Sequence, residues 1–321
     1  MGSVVFIAVF SLTSVSFQQA AYDPGKTSGK VKMLDTEFVY GDDKRKVPLR
    51  IYLPESKSAA PVILFSHGLG GSKENNPYLG NHWAGRGYVV VFMQHAGSDK
   101  EIWKDVPLRD RFRKVKSAAS QKNLEGRVGD VPATIDQLTK WNADGKKLAG
   151  RLNLKKIGMS GHSFGAVTTK ALAGQNYGRR GQVFADTRIK AAVVMSPMFP
   201  RFGGNADTFR KVKVPWMLMT GTKDESMIGR GTPADRRKVF QQLPKSGHFY
   251  ELVLHDAEHM AFSERTLQGV EHRNPRYHKS ILAMSTAFWD TYLKNEEAAR
   301  RWLHSEDAKK MLNPRDQWQR K

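Results

Sequence analysis

The chain has 321 residues, 40% of them hydrophobic and 26% charged, a balance that suits a soluble globular protein rather than a disordered one. Its formal charge of +21 brings nucleic acid, anionic surfaces and acidic substrates into consideration. The basic residues are spread along the chain without zinc-finger, RNP-like or phosphate-loop signatures, which argues against specific nucleic-acid reading, and the lack of cysteine excludes disulfides and thiolate chemistry.

The apolar run "VVFIAVFSLTSV", Val4 to Val15, falls short of the roughly 20 residues a bilayer span needs. It fits the core of a secretory signal, with cleavage near Ala20 or Ala21. No Lys or Arg precedes it, and Gln18 stands where a small residue is usual. The competing expectation is an apolar first strand and a cytoplasmic protein; the preferred one is a signal over residues 1–21 and a secreted or periplasmic chain.

"FVYGDDKRKVPLRIYLP" (Phe38 to Pro54) predicts two alternating strands around a polar turn, an antiparallel hairpin. "PVILFSHG" (Pro61 to Gly68) and "GYVVVFMQH" (Gly87 to His95) are short continuous apolar runs of doubly buried strands. "PYLGNHWAGRG" between them predicts a helix closed by Gly87. Residues 98–127 are polar and basic, with few apolar repeats, and read as an excursion. In Val128 to Ala143, the spacing of Val131, Ile135, Leu138 and Trp141 predicts one apolar helix face. The strand "KKIGMSG", a helix through Thr168 to Ala173, the strand Ile189 to Pro197, and two strand-then-loop units (Val214 to Glu225, His248 to His259) follow. A helix from His278 through Leu293 closes the pattern. Such alternation predicts an α/β fold: a mostly parallel sheet with helices on both faces, in one domain over 30–321. Reactive groups then gather at the carboxyl ends of the strands.

"GHSFG", Gly161 to Gly165, lies at one of those ends. The pattern G-x-S-x-G suits a strained strand-to-helix turn that projects Ser163 from the sheet, with glycines where a Cβ would collide. A serine hydroxyl needs a base, a group to orient that base, and donors for the oxyanion. In chain order, Asp224 in "MLMTGTKDE" is the candidate acid, with Glu225 its competitor. His259 in "ELVLHDAEHMAF" is the candidate base, with His255 its competitor. The oxyanion donors expected are the N–H groups of Phe164, next to the nucleophile, and Leu69, in the Gly-rich loop "SHGLGGS". His162 is expected to pack, His67 to bond loop backbone, and His95 to be structural or to line the pocket. His272 and His278 lack metal-site spacing. Trp103 and Phe112 are expected either to cover an acyl group or to stand exposed.

"SHGLGG", "GHSFG", "GTKDE" and "DAEHMAF", in this order, resemble an α/β-hydrolase. Within that superfamily the chain is most similar to plasma-type platelet-activating-factor acetylhydrolases and bacterial predicted dienelactone hydrolases, from about Val31 to Leu293. The resemblance implies a carboxylic-ester hydrolase working through Ser163, Asp224 and His259, acting on a small-molecule or lipid ester, with no cofactor and no metal. True dienelactone hydrolases use a cysteine nucleophile, absent here, and the Asp-nucleophile branches of the fold are argued against by Ser163. The alternatives are a non-catalytic hydrolase-fold protein bound weakly to anionic surfaces, and a polyester or cutinase-like hydrolase. No oligomeric state is assigned. The interval from Met198 to Lys213 is too short for a cap domain, so the expectation is a shallow site bordered by a mobile basic flap at 98–127.

Overall fold

The computed structural model describes residues 21–144, 148–200, 203–226, 228–229, 231–264 and 275–321. The expected signal segment up to residue 20, and His272, lie outside the described residues.

Strands β1 (Lys32–Tyr40) and β2 (Arg45–Leu53) form the expected antiparallel hairpin, Lys32 opposite Leu53. β3 (Ala60–Ser66), β4 (Val89–Met93), β5 (Leu152–His162), β6 (Ile189–Met195), β7 (Trp216–Lys223) and β8 (Phe249–Glu258) run parallel to one another. β9 (Gln317–Arg320) closes the far edge antiparallel to β8. Among the described residues the sheet order is β1-β2-β4-β3-β5-β6-β7-β8-β9.

The continuous apolar runs follow from burial on both faces. In β3, Val62 and Leu64 enter the core on one side, Ile63 and Phe65 that on the other. Helices α3 (Gln121–Ala143), α4 (Phe164–Leu172) and α5 (Pro233–Gln242) cover the first face, with Val131, Ile135, Leu138 and Trp141 buried as their spacing predicts. Helices α1 (Pro77–Gly85), α6 (Pro275–Leu293), α7 (Glu297–Leu303) and α8 (Glu306–Lys310) pack on the second. The architecture is that of an α/β-hydrolase.

The stretch 98–127, expected as a basic flap, is largely helical. It holds a short 3-10 turn at Lys100–Trp103, then α2 (Leu108–Ala118), and then the start of α3. Charged residues mask its helical repeat, since Leu108, Phe112 and Val115 fall at positions i, i+4 and i+7. Ser120 caps α3 by accepting the Asn123 N–H at 3.2 Å, so α3 begins at Gln121 instead of Val128. Helix α5 and strand β9 were not anticipated. The first has few apolar residues besides Val239 and Phe240, and its start is marked by the Thr232–Asp235 capping box and Pro233.

Lys170 on α4 is buried, donating to the Met198 carbonyl, with its ammonium 5.5 Å from the centre of the Phe209 ring. Burial, and after it the Arg236 charge, push it down to about 7 from 10.5. Between those values the unfolded chain binds the proton that the folded chain sheds, so the penalty is full below about pH 7 and fades as pH rises. Lys170→Met should therefore raise the denaturation midpoint, and by more at about pH 6 than at about pH 10. An equal gain at both would contradict this burial penalty.

Candidate active site

The turn between β5 and α4 carries Ser163 at φ 58°, ψ −115°, a conformation that an L side chain rarely adopts. Its neighbours explain why the chain accepts that strain. A Cβ on Gly165 would sit 1.8 Å from the Ser66 carbonyl oxygen, and one on Gly161 would sit 2.4 Å from the Gly165 oxygen. Both glycines are therefore required by close backbone approach. The Ser163 N–H donates to the Met195 carbonyl at 3.1 Å, which ties the turn to β6.

Three side chains from three strand ends meet here. His259, in the turn after β8, has Nε2 2.9 Å from Ser163 Oγ and Nδ1 2.8 Å from Asp224 Oδ1. With Nδ1–H donating to the carboxylate, Nε2 is the acceptor for the serine hydroxyl. Asp224, just past β7, is fully buried. Its Oδ2 accepts from Ser196 Oγ at 2.7 Å and Thr220 Oγ1 at 2.9 Å, and its Oδ1 also faces Arg236 Nε at 2.9 Å. Burial alone would raise the carboxyl pKa. The His259 bond and charge, the Arg236 guanidinium and the Ser196 hydroxyl outweigh it and hold the group below its ordinary value. The structure thus brings together Ser163, Asp224 and His259. It does not bring in Glu225, which is exposed, or His255, whose Nε2 lies 3.3 Å from Asp256 Oδ2.

The loop after β3 lies against the serine, where a Cβ on Gly68 would be 3.3 Å from the Ser163 Cβ. Gly68, Leu69, Ser163, Phe164 and His259 share a cavity of about 730 Å³. No described acceptor pairs with the Leu69 or Phe164 N–H. Helix α2 forms another wall through Leu108, Arg111, Phe112 and Val115, joined by Lys100, Trp103 and Lys104. Trp103 Nε1 donates to the Gly70 carbonyl at 3.1 Å, which fixes the indole at the rim.

His162 packs, donating from Nε2 to the His259 carbonyl at 3.0 Å. Burial, then the His259 charge, push it down to about 3, so it is neutral at physiological pH. His67 donates from Nδ1 to the Gly68 carbonyl, as expected of a loop residue. His95 is fully buried between Ser66 and Asp130 and is not among the residues lining the cavity, which resolves its two readings in favour of structure. His278 stacks on Tyr78, with ring centres 3.9 Å apart. The described residues hold no cluster of His, Asp or Glu able to bind a metal ion.

Two buried arginines were missed. Arg236 on α5 donates to the Asp224, Ser196 and Pro197 carbonyls and stands beside the Asp224 carboxylate. Its Nη2 lies 3.1 Å from His259 Nδ1, a contact between donors in the tautomer given above. Arg127 on α3 lies under the Gly68–Leu69 loop. In "PADRRKVF" and "KNLEGRVG" each reads as one more solvated cation, and no local pattern sets it apart.

A family model described as platelet-activating factor acetylhydrolase, isoform II, matches residues 26–102. That span takes in β1 to β4, α1 and the Gly68–Leu69 loop, and ends before Ser163. No curated protein matches the chain. The resemblance of this chain to the platelet-activating-factor acetylhydrolase type of α/β-hydrolase therefore rests on its N-terminal strands and their loop, and it supports a hydrolase acting on esters.

Proposed function

We propose that the protein is a serine carboxylic-ester hydrolase. The observation that carries the reading is the unbroken chain from Ser163 Oγ through His259 to the buried Asp224 carboxylate, at 2.9 and 2.8 Å. Ser163 Oγ attacks the ester carbonyl carbon while His259 Nε2 takes its proton. The carbonyl oxygen becomes an oxyanion facing the Leu69 and Phe164 N–H groups. The intermediate collapses, the alcohol leaves with the proton from His259, and an acyl group remains on Ser163. Water, deprotonated by His259, attacks that acyl carbon; the second collapse returns the proton to Ser163 and frees the acid. Asp224 holds the imidazole tautomer and offsets its positive form. The serine proton leaves with the alcohol and one from water replaces it, so Ser163 and His259 are restored at the end of the cycle and the chemistry calls on no cofactor.

The cavity wall suggests the substrate. Helix α2 offers apolar Leu108, Phe112 and Val115 beside the cations Arg111 and Lys104. A small or lipid ester with an apolar arm and an anionic group fits both halves of that wall.

Ser163→Ala and His259→Ala should each lower turnover by on the order of 10⁶-fold, and the double variant should be little worse, because the groups act as a unit. Asp224→Asn should cost about 10⁴-fold, with Glu225→Gln near parent. Additive losses, or a severe Glu225→Gln, would contradict the assignment in steady-state ester assays.

Replacing Lys104 and Arg111 together with Gln should lower kcat/KM on an anionic ester at low salt. The same variant should match the parent on a neutral ester, and on both esters once salt shortens the screening length to about 3 Å at 1 M. Equal behaviour in all four conditions would remove the wall cations from substrate recognition.

A further inference from the structure

One fully buried charge near the cavity belongs to no part of the mechanism above. Arg127 is 0% exposed, yet it sits among neutral groups for the most part. Its Nη1 donates to the His67 carbonyl at 2.7 Å and to Ser66 Oγ at 3.2 Å. Its Nε donates to Ser98 Oγ at 2.8 Å, and its Nη2 reaches the Gly68 carbonyl at 3.4 Å. Its guanidinium carbon stands 4.6 Å from the centre of the Phe164 ring, a cation–π geometry. Burial pushes this group down to about 9, so it stays charged at neutral pH.

The protons around it follow one pattern, save that Arg127 Nη2 and His67 Nδ1, 3.3 Å apart, then face each other as donors. His67 Nε2 accepts the His95 N–H at 3.1 Å, so its proton is on Nδ1 and donates to the Gly68 carbonyl at 2.6 Å. His95 Nδ1–H donates to Asp130 at 2.8 Å, so its Nε2 accepts from Ser66 Oγ at 2.9 Å, and Ser66 Oγ is left to accept from Arg127. Asp130 is held in turn by Arg45 and Tyr40. The Gly68 carbonyl therefore receives His67 Nδ1–H, the Gly71 N–H at 3.1 Å, and Arg127.

A trans peptide is planar, with its C=O and N–H pointing in opposite directions. Pinning the Gly68 carbonyl toward Arg127 therefore aims the Leu69 N–H the other way, to the side where Gly68 and Leu69 line the cavity beside Ser163. The same guanidinium packs on the side chain of Phe164, the residue that carries the second oxyanion donor.

We infer that Arg127 is the positioning residue of the oxyanion hole, a buried cation that holds the Gly68–Leu69 peptide and the Phe164 side chain in register before substrate arrives. The inference rests on the esterase reading and adds to it a residue outside the reacting groups. Positioning of this kind stabilises the transition state more than bound substrate, so its loss falls on kcat.

The test uses the full chain, with parent turnover of a p-nitrophenyl ester and its loss in Ser163→Ala as the condition that the esterase reading itself must meet. Arg127→Lys and Arg127→Met are then compared for kcat, KM and binding of a trifluoromethyl ketone, whose adduct with serine carries the oxyanion. The expected result for Arg127→Met is a loss in kcat of roughly 10- to 100-fold, bounded by the 10²–10³-fold cost of deleting a donor outright. KM should stay within about threefold, the ketone should weaken by the same factor as kcat, and Arg127→Lys should recover part of both. If the Arg127 variants do not fold, Ser98→Ala, which removes the Nε acceptor together with the Ser98 Oγ bond to the His95 carbonyl, should lower kcat and ketone affinity together by a few-fold. Unchanged kcat and ketone affinity in a folded Arg127 variant, or in Ser98→Ala when that variant decides, would overturn the inference. So would a fall in kcat with ketone affinity intact.

Discussion

The site depends on a contact between two pieces of backbone. Helix α4 begins so close to the end of β3 that a Cβ at Gly165 would overlap the Ser66 carbonyl. Only glycine fits there, and the approach forces the intervening turn into the strained conformation recorded at Ser163. The same approach sets the first peptide of the next loop, at Gly68, against the serine Cβ. One steric constraint thus presents the hydroxyl, starts the helix whose first N–H is Phe164, and brings the Leu69 amide alongside. A sheet buried on both faces makes the strain tolerable, because β3 and β6, paired on either side of β5, hold the strand that enters the turn in register.

Electrostatics supply the second layer. Burying an ion costs several kcal/mol unless charge and hydrogen bonds offset it. Asp224 meets that cost with Ser196, Thr220, His259 and Arg236, and Arg127 meets it with carbonyls, hydroxyls and an aromatic face. The two arginines lie on helices of the same face of the sheet, α3 and α5, and each ties a strand-end loop in place. In the proposed mechanism one fixes the acid loop and the other the oxyanion loop, so the reacting groups meet substrate with little left to reorganise.

Much of this was legible in the sequence, for physical reasons that also mark where legibility stops. The doubly buried strands announce themselves as unbroken apolar runs, and the strand ends then locate Ser163, Asp224 and His259 by chain order. Leu69 and Phe164 follow from the loop and the turn that must flank the serine. Helix α2 was hidden because five basic residues between Arg109 and Lys116 outweigh its apolar repeat. Arg127 and Arg236 were hidden because burial is a tertiary property, and a cation looks the same in sequence whether it faces water or a carbonyl. His95 has the same lesson in reverse, since its place at a strand end suggested the cavity while its partners Ser66 and Asp130 hold it beneath the loop.

The central claim is that Ser163 is the residue the rest of the architecture was built to make nucleophilic. It is tested most directly by treating the folded protein with a fluorophosphonate and mapping the adduct by peptide mass spectrometry. The account predicts one adduct per chain, on the peptide carrying Ser163, lost on denaturation before treatment and absent from His259→Ala. A folded parent protein that takes no label, or that takes it on another residue, would contradict the account.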